Sequence, residues 1–359
     1  MVVIYHASKI VVPALDGPAE AVYRALADSP AKIVFAGTEA VLVFFALSGL
    51  VVALPAFRGG FSWRAYFPAR LLRLYLPVWA ALLFAAALIV LVPRDPAAAS
   101  PGSWLRNGNS HELDPLRLLA EASLWPASYD IDNVLWSLRW EVIFSIALPL
   151  FVGAALLLRR HAAIAVGLLA GVSVLGRLVD VDALVYLPVF LAGTVLAARI
   201  EDVRAWGAAR SGWFWAGAAA LSGALLISGW LARPVVAPDS TGGRMLWGLA
   251  AAGAVGLVLT VAASPRAGAL LSRRLPAWLG RVSFGLYLVH VPVLATLAYT
   301  WGEGAWPLVL AVGIPASLVV AALFTRLVER PSHRLAGAVR RHIARAGAPR
   351  PAAPATSVR

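Results

Sequence analysis

The chain has no cysteine among its 359 residues, which excludes disulfides, thiolate-held metals, iron–sulfur clusters and a cysteine-bound acyl intermediate. Charge is scarce too: 14% of residues are charged and 60% hydrophobic, where soluble domains average about a quarter charged and half apolar. Carboxylates are the scarcer sign, 18 against 31 Lys and Arg, giving a net charge of +13. The first dozen residues lack a basic leader and a small-residue cleavage site, so they read as the back half of a first span and not as a signal peptide. No fixed-period repeat and no second soluble domain is visible.

What is present in quantity is apolar sequence in runs long enough to cross a bilayer as helices, about 17 to 25 residues each. The expected fold is all-α, a polytopic membrane helical bundle of about ten transmembrane helices. Spans are expected at Met1 to Val12, Ile33 to Leu54, Leu71 to Val92, Leu135 to Leu158 and Ala162 to Leu178. The other five are Ala183 to Ala198, Gly212 to Leu231, Met245 to Ala263, Val282 to Tyr299 and Trp306 to Val328. Lys and Arg accumulate in cytosolic loops. If the first span starts there, inward segments hold 21 basic residues, outward segments nine, and 13 acids face outward against three inward. Both termini then lie in the cytosol. Charges placed between spans are topology determinants, so no nucleic-acid partner is expected.

The outward segment from Pro93 to Val134 is too long for a bare connection and is expected to hold short surface helices or to line an entrance. Residues 1–329 form one membrane unit, and 330–359, rich in Arg, Ala and Pro, read as a basic disordered cytosolic tail resting on anionic lipid.

Ionisable groups inside hydrocarbon cost at least a few kcal/mol, so each needs a partner, a hydrated cavity or a task. Within the spans these are His6, Glu39, Arg139, Glu141 and His290. His6 in VVIYHASKIVV is either a general base for a hydroxyl or a structural histidine bonded to a neighbouring helix. Arg70 and Arg73 in RLLRLYLP share a helix face and suit paired grip on phosphates; snorkelling at the inner interface is the alternative. Trp136, Ser137 and Glu141 lie in LWSLRWEVIF, and Glu141 sits about six residues, roughly 9 Å, into its span. Its carboxylate orients a histidine, binds an acceptor hydroxyl or pairs with a buried base. Glu39 lies early in the second span, beside the small packing residues Gly37, Ser48 and Gly49. Tyr287 and His290 fall midway through the ninth, ahead of Pro292. Two histidines do not make a metal site, and no metal is expected.

Taken in order, YHA, VFFALSG, RLLRLYLP, LWSLRWEVIFSIALP, FGLYLVHVPV and VERPSHRL resemble the integral membrane acyltransferase family 3, which includes O-acetyltransferases of bacterial surface polysaccharides. The resemblance covers essentially the whole membrane part. It implies a catalytic role for His6, acyl-CoA binding by Arg70 and Arg73, and a functional Glu141; His290 and Glu329 match later signatures. It also implies acyl-CoA, acetyl-CoA above all, as co-substrate with no bound cofactor, an envelope glycan or lipid-linked sugar as acceptor, and a bacterial inner-membrane location. One departure stands out: the family usually has a basic residue farther upstream of the histidine than Met1, so a truncated first helix or a start codon upstream is expected. Two rivals remain at this stage, a secondary transporter using the same buried groups and a degenerate noncatalytic family member.

Overall fold

The computed structural model describes residues 1–125 and 128–346, and among them there is helix and no strand. Eleven helices form the frame: α1 (Val2–Val11), α2 (Gly37–Ala53), α3 (Trp63–Leu91), α4 (Trp136–Leu158), α5 (Ala162–Leu178), α6 (Asp182–Ala198), α7 (Gly212–Leu226), α8 (Ala250–Ala263), α9 (Arg274–Trp301), α10 (Trp306–Phe324) and α11 (Arg330–Ala346). In hydrocarbon every backbone N–H and C=O must be satisfied within the segment, which is why apolar sequence of this length takes no other form. The outside of the bundle is correspondingly greasy: Leu83, Leu91, Leu150, Leu157, Leu168 and Trp213 are all exposed.

Six helical stretches are long and apolar enough to cross a bilayer, or seven if Asp182–Ala198 and Ile200–Ala208, bent by 73°, count as one crossing. Two of the six, Asn133–Leu178 and Glu303–Arg345, run 46 and 43 residues, about twice the twenty or so that one crossing needs, and each contains two of the helices above. Each of the ten sequence-read spans overlaps a helix, but α3 and α9 begin at Trp63 and Arg274, ahead of the expected Leu71 and Val282. The tallies part where an apolar run is broken, as at Ile227 between α7 and Ser228–Leu231, or where a helix is short, as in α1.

Packing is tightest between α2 and α6. A Cβ on Gly49 would collide with the Phe190 carbonyl, and one on Gly193 with the carbonyl of Ala46, so the two backbones touch, as small residues permit in lipid. Phe45 stacks on Phe190 and Phe190 on Phe144, each at 4.5 Å, which ties α2 and α6 to α4. A second core joins α3, α4, α9 and α10 through Leu74, Val78, Leu138, Val142, Leu288 and Phe324. A third seats α1 on α9 through Ala7, Ile10, Leu294 and Ala298.

The long segment before α4 carries short helices, Trp104–Gly108 and Pro115–Ala122, as its length required. It is pinned by Glu121, whose carboxylate accepts from the backbone N–H groups of Asp130, Ile131 and Asp132 at 2.7, 2.8 and 3.0 Å. Burial raises the pKa of this carboxyl, and the three donors partly offset that. Arg94 adds bonds to the Ser110 carbonyl at 2.6 Å and to Thr296 Oγ1 at 2.9 Å on α9. The segment is thus a structured cap on the bundle.

The tail differs from its sequence reading. Residues 330–346 form α11, joined to α10 by the π-helical turn Thr325–Glu329 and packed along α3. Arg and Ala are good helix formers, and the Pro-rich stretch that suggested disorder begins beyond them; 347–359 lie outside the described residues.

Candidate active site

His6 and His290 meet across the α1–α9 contact, 7% and 0% exposed, with His6 Nδ1 2.9 Å from His290 Nε2. The hydrogen-bond network assigns the protons. His290 Nδ1 lies 2.9 Å from the carbonyl oxygens of Leu286 and of Tyr287. Carbonyls only accept, so in the neutral ring Nδ1 carries the proton and Nε2 the lone pair. His6 Nδ1 must then donate to that lone pair, which leaves His6 Nε2 as a free base. The Trp104 ring, from the cap, stacks on His6 at 5.2 Å and 18°.

The seam continues along α4 and α9. Tyr287, one turn before His290 with its ring 6.2 Å away, shares a 2.6 Å hydrogen bond with Ser137, and its hydroxyl donates to the Val134 carbonyl at 2.8 Å. Ser137, Glu141 and Ser145 follow at four-residue spacing and so lie on one face of α4, about 6 Å apart along it. Glu141 Oε1 accepts from Ser48 Oγ at 2.6 Å and forms an ion pair with Arg70, whose Nε donates to Ser145 Oγ at 3.0 Å. Removing one partner of such a buried pair leaves an uncompensated charge, at a cost of about 3–5 kcal/mol. The file from His6 through His290, Tyr287, Ser137 and Glu141 to Arg70 crosses four helices.

At the basic end of the file, Arg73 Nε donates to His333 Nε2 at 3.0 Å. A cavity of about 480 Å³ opens there, lined among others by Phe61, Tyr66, Arg70, Arg73, His333, Arg340 and Arg341. At the opposite end the cap carries a polar cavity of about 310 Å³ that includes Arg106, Asn109, His111, Asp114, Arg117 and Asp130.

The structure therefore brings together His6 with His290, Ser137 with Tyr287, and Arg70 with Glu141. Of the roles open to Glu141, the structure shows pairing with a buried base: Glu141 is held by Arg70 and Ser48, and the partner of His6 is His290, not Glu141. Glu39 stands apart from the file. It accepts from Trp230 Nε1 at 2.6 Å, beside Lys32, whose ammonium lies 3.5 Å above the Trp230 ring and whose pKa burial lowers to about 8. Trp136 packs against Tyr186 at 5.7 Å. Arg139 lies over Trp125 at 4.6 Å and pairs with no carboxylate among the described residues. Four contributors escaped the sequence reading. Ser48 looks like a packing residue in sequence and Ser145 carries no signal; Trp104 is one tryptophan in a polar loop, and His333 sits inside VERPSHRL with nothing local tying it to Arg73.

A file of buried polar groups thus lies within an apolar bundle, with a cationic cavity at one end and the His6 imidazole, bonded to His290, toward the other. The family profile described as an acyltransferase domain, Acyl_transf_3, matches residues 1–326. The chain belongs to this family. It is accordingly a multi-pass membrane acyltransferase. No curated protein and no solved structure matches the chain. The matched region of this family 3 acyltransferase ends inside the π-helical turn, so His333 and all of α11 lie beyond it.

Proposed function

We propose that this acyltransferase moves an acyl group, acetyl being the expected one, from cytosolic acyl-CoA to a hydroxyl of an envelope glycan or lipid-linked sugar. The observation that carries this reading is the file of buried polar pairs, Arg70 with Glu141, Ser137 with Tyr287 and His290 with His6, set along neighbouring helices between the basic cavity and the cap. Phosphates cannot enter hydrocarbon, so the nucleotide of the donor stays at the cationic cavity with Arg70 and Arg73, while its slender pantetheine arm follows the file. The acceptor arrives through the cap, whose polar cavity offers side chains of the kinds that hold sugar hydroxyls. The surplus of basic residues on one side of the ten sequence-read spans, 21 against nine, supports a cytosolic donor end and cytosolic termini, in a membrane we take to be the bacterial inner membrane.

In this scheme His6 Nε2 removes the acceptor's hydroxyl proton as its oxygen attacks the thioester carbonyl. The C–O bond forms, the C–S bond breaks, and the CoA thiolate takes the proton back from the imidazolium. Through its Nε2, His290 accepts from His6 Nδ1–H and holds the ring in the basic tautomer, a positioning role. Glu141 acts at a distance by fixing the Arg70 guanidinium.

The test is transfer of labelled acetyl from acetyl-CoA to envelope glycan in inside-out vesicles. His6→Ala is expected to lower the rate about 10²- to 10⁴-fold, the range for a general base. Arg70→Ala is expected to raise the KM for the donor. Unchanged kinetics in both variants, with native melting profiles, would remove the reading.

A further inference from the structure

We propose that α11 is the second wall of the donor site, and that Arg340 and Arg341 bind the phosphates of the donor nucleotide across the cavity from Arg70 and Arg73. This rests on the reading of acyl-CoA as donor, and extends the site to a helix that the family match does not reach.

Three observations support it. The first is helical register: His333, Ala336, Gly337, Arg340, Arg341 and Ala344 line the cavity and recur every three or four residues, so they form one stripe of α11. The remaining basic residues of the helix, Arg330, Arg334, His342 and Arg345, do not line it. Small residues in the stripe keep the space open; Arg341 Nη1 lies 3.4 Å from where a Gly337 side chain would begin.

The second is charge. Four guanidinium groups and an imidazole converge on the cavity, and among the described residues no carboxylate lines it. Arg70 pairs with Glu141, and the His333 ring lies 3.9 Å from the Glu329 carboxylate; no ion pair of Arg73, Arg340 or Arg341 occurs among the described residues. Like charges gathered at the mouth of a low-dielectric cavity repel, and the arrangement is relieved when a polyanion enters. Arginine is the residue suited to this, because its planar fork meets phosphate oxygens in pairs.

The third observation separates a nucleotide from a lipid headgroup. Phe61 and Tyr66 also line the cavity, their rings 5.7 Å apart, with the Tyr66 hydroxyl tied to the Ser145 carbonyl at 3.2 Å. Aromatic faces beside guanidinium groups accept a base together with its phosphates. A glycerophosphate headgroup has no use for them.

The experiment is equilibrium binding of CoA to the full chain in neutral phosphatidylcholine nanodiscs, followed by steady-state kinetics with acetyl-CoA. The native protein is expected to bind CoA. The Arg340→Ala/Arg341→Ala double variant should bind it at least about tenfold more weakly, as expected for losing charge-assisted phosphate contacts, with KM for acetyl-CoA rising and kcat little changed. The Arg340→Lys/Arg341→Lys variant should recover part of the loss, which separates lost charge from misfolding. Equal CoA binding and equal KM in native and double-alanine proteins overturn the role of α11 while leaving the donor reading intact. Failure of the native protein to bind CoA overturns the donor reading and α11's part in it. An effect confined to nanodiscs containing anionic phosphatidylglycerol assigns the arginines to lipid and also overturns the proposal.

Discussion

At the residue scale the site is built on a directional pair of imidazoles. A single buried histidine has no preferred tautomer, whereas His6 donates to a ring whose own proton is committed to the carbonyls of Leu286 and Tyr287. His290→Ala removes the acceptor and is expected to lower kcat about 10²-fold, as when the orienting partner of a catalytic histidine is lost, with little change in donor KM. His290→Gln, whose amide oxygen accepts where Nε2 did, is expected to recover part of that rate. Stopped assays of acetyl transfer measure both; native kcat in the alanine variant would make His290 structural only. The sequence offered each of these residues singly, since a charged or imidazole group within an apolar run is conspicuous. It did not offer their pairing. His6 and His290 are 284 positions apart, and which helix faces meet is decided by packing that no local pattern encodes. Glu141 shows the same limit: the need for a partner was legible, and its identity, Arg70 and not His6, was not.

Elements show where local physics suffices. Apolar runs bounded by Arg, Pro and Gly marked α2, α4, α5, α6 and α10, because in lipid length and hydropathy nearly determine the outcome; α3 starts at Trp63, ahead of its apolar run. One element and one contact lay outside that reading. α11 was hidden by composition, Arg and Ala being as compatible with a solvated chain as with a helix until a neighbour such as α3 gives it something to pack on. The α2–α6 contact was foreshadowed by Gly49 alone; that its partner is Gly193 emerges only in three dimensions. Gly193→Ala places a methyl against the Ala46 carbonyl, so α6 must move away from α2, dragging Phe190 off Phe45 and Phe144. Overpacking of this kind costs about 1–3 kcal/mol. A lowered melting temperature in detergent, with donor KM unchanged, is the expected result, whereas Gly217→Ala, which meets nothing within 4 Å, should melt as the native protein does.

For the whole molecule, the problem is to join two aqueous compartments chemically without joining them by water. In the proposed reaction the donor reaches His6 from the basic end of the polar file, and the cap with Trp104 covers His6 at the other. Water is a competing acceptor for any base that can activate a hydroxyl, so a site of this kind must exclude it until the acceptor is present. Trp104 is placed to do that: its ring lies nearly parallel to the imidazole, and the short helix it begins is anchored through Tyr299, whose hydroxyl is 3.0 Å from the carbonyl oxygens of Leu105 and Asn109. Trp104→Ala leaves the histidine pair and the cationic cavity in place and opens a space of roughly one indole above His6. Acetyl-CoA should then be hydrolysed without any acceptor, read as free thiol released in the absence of glycan, while transfer to glycan falls. Phe at the same position, which keeps the stacked face, should restore the ratio of transfer to hydrolysis. If that ratio is the same in the Ala variant as in the native protein, Trp104 is packing alone, and water must be kept from His6 by some other part of the bundle.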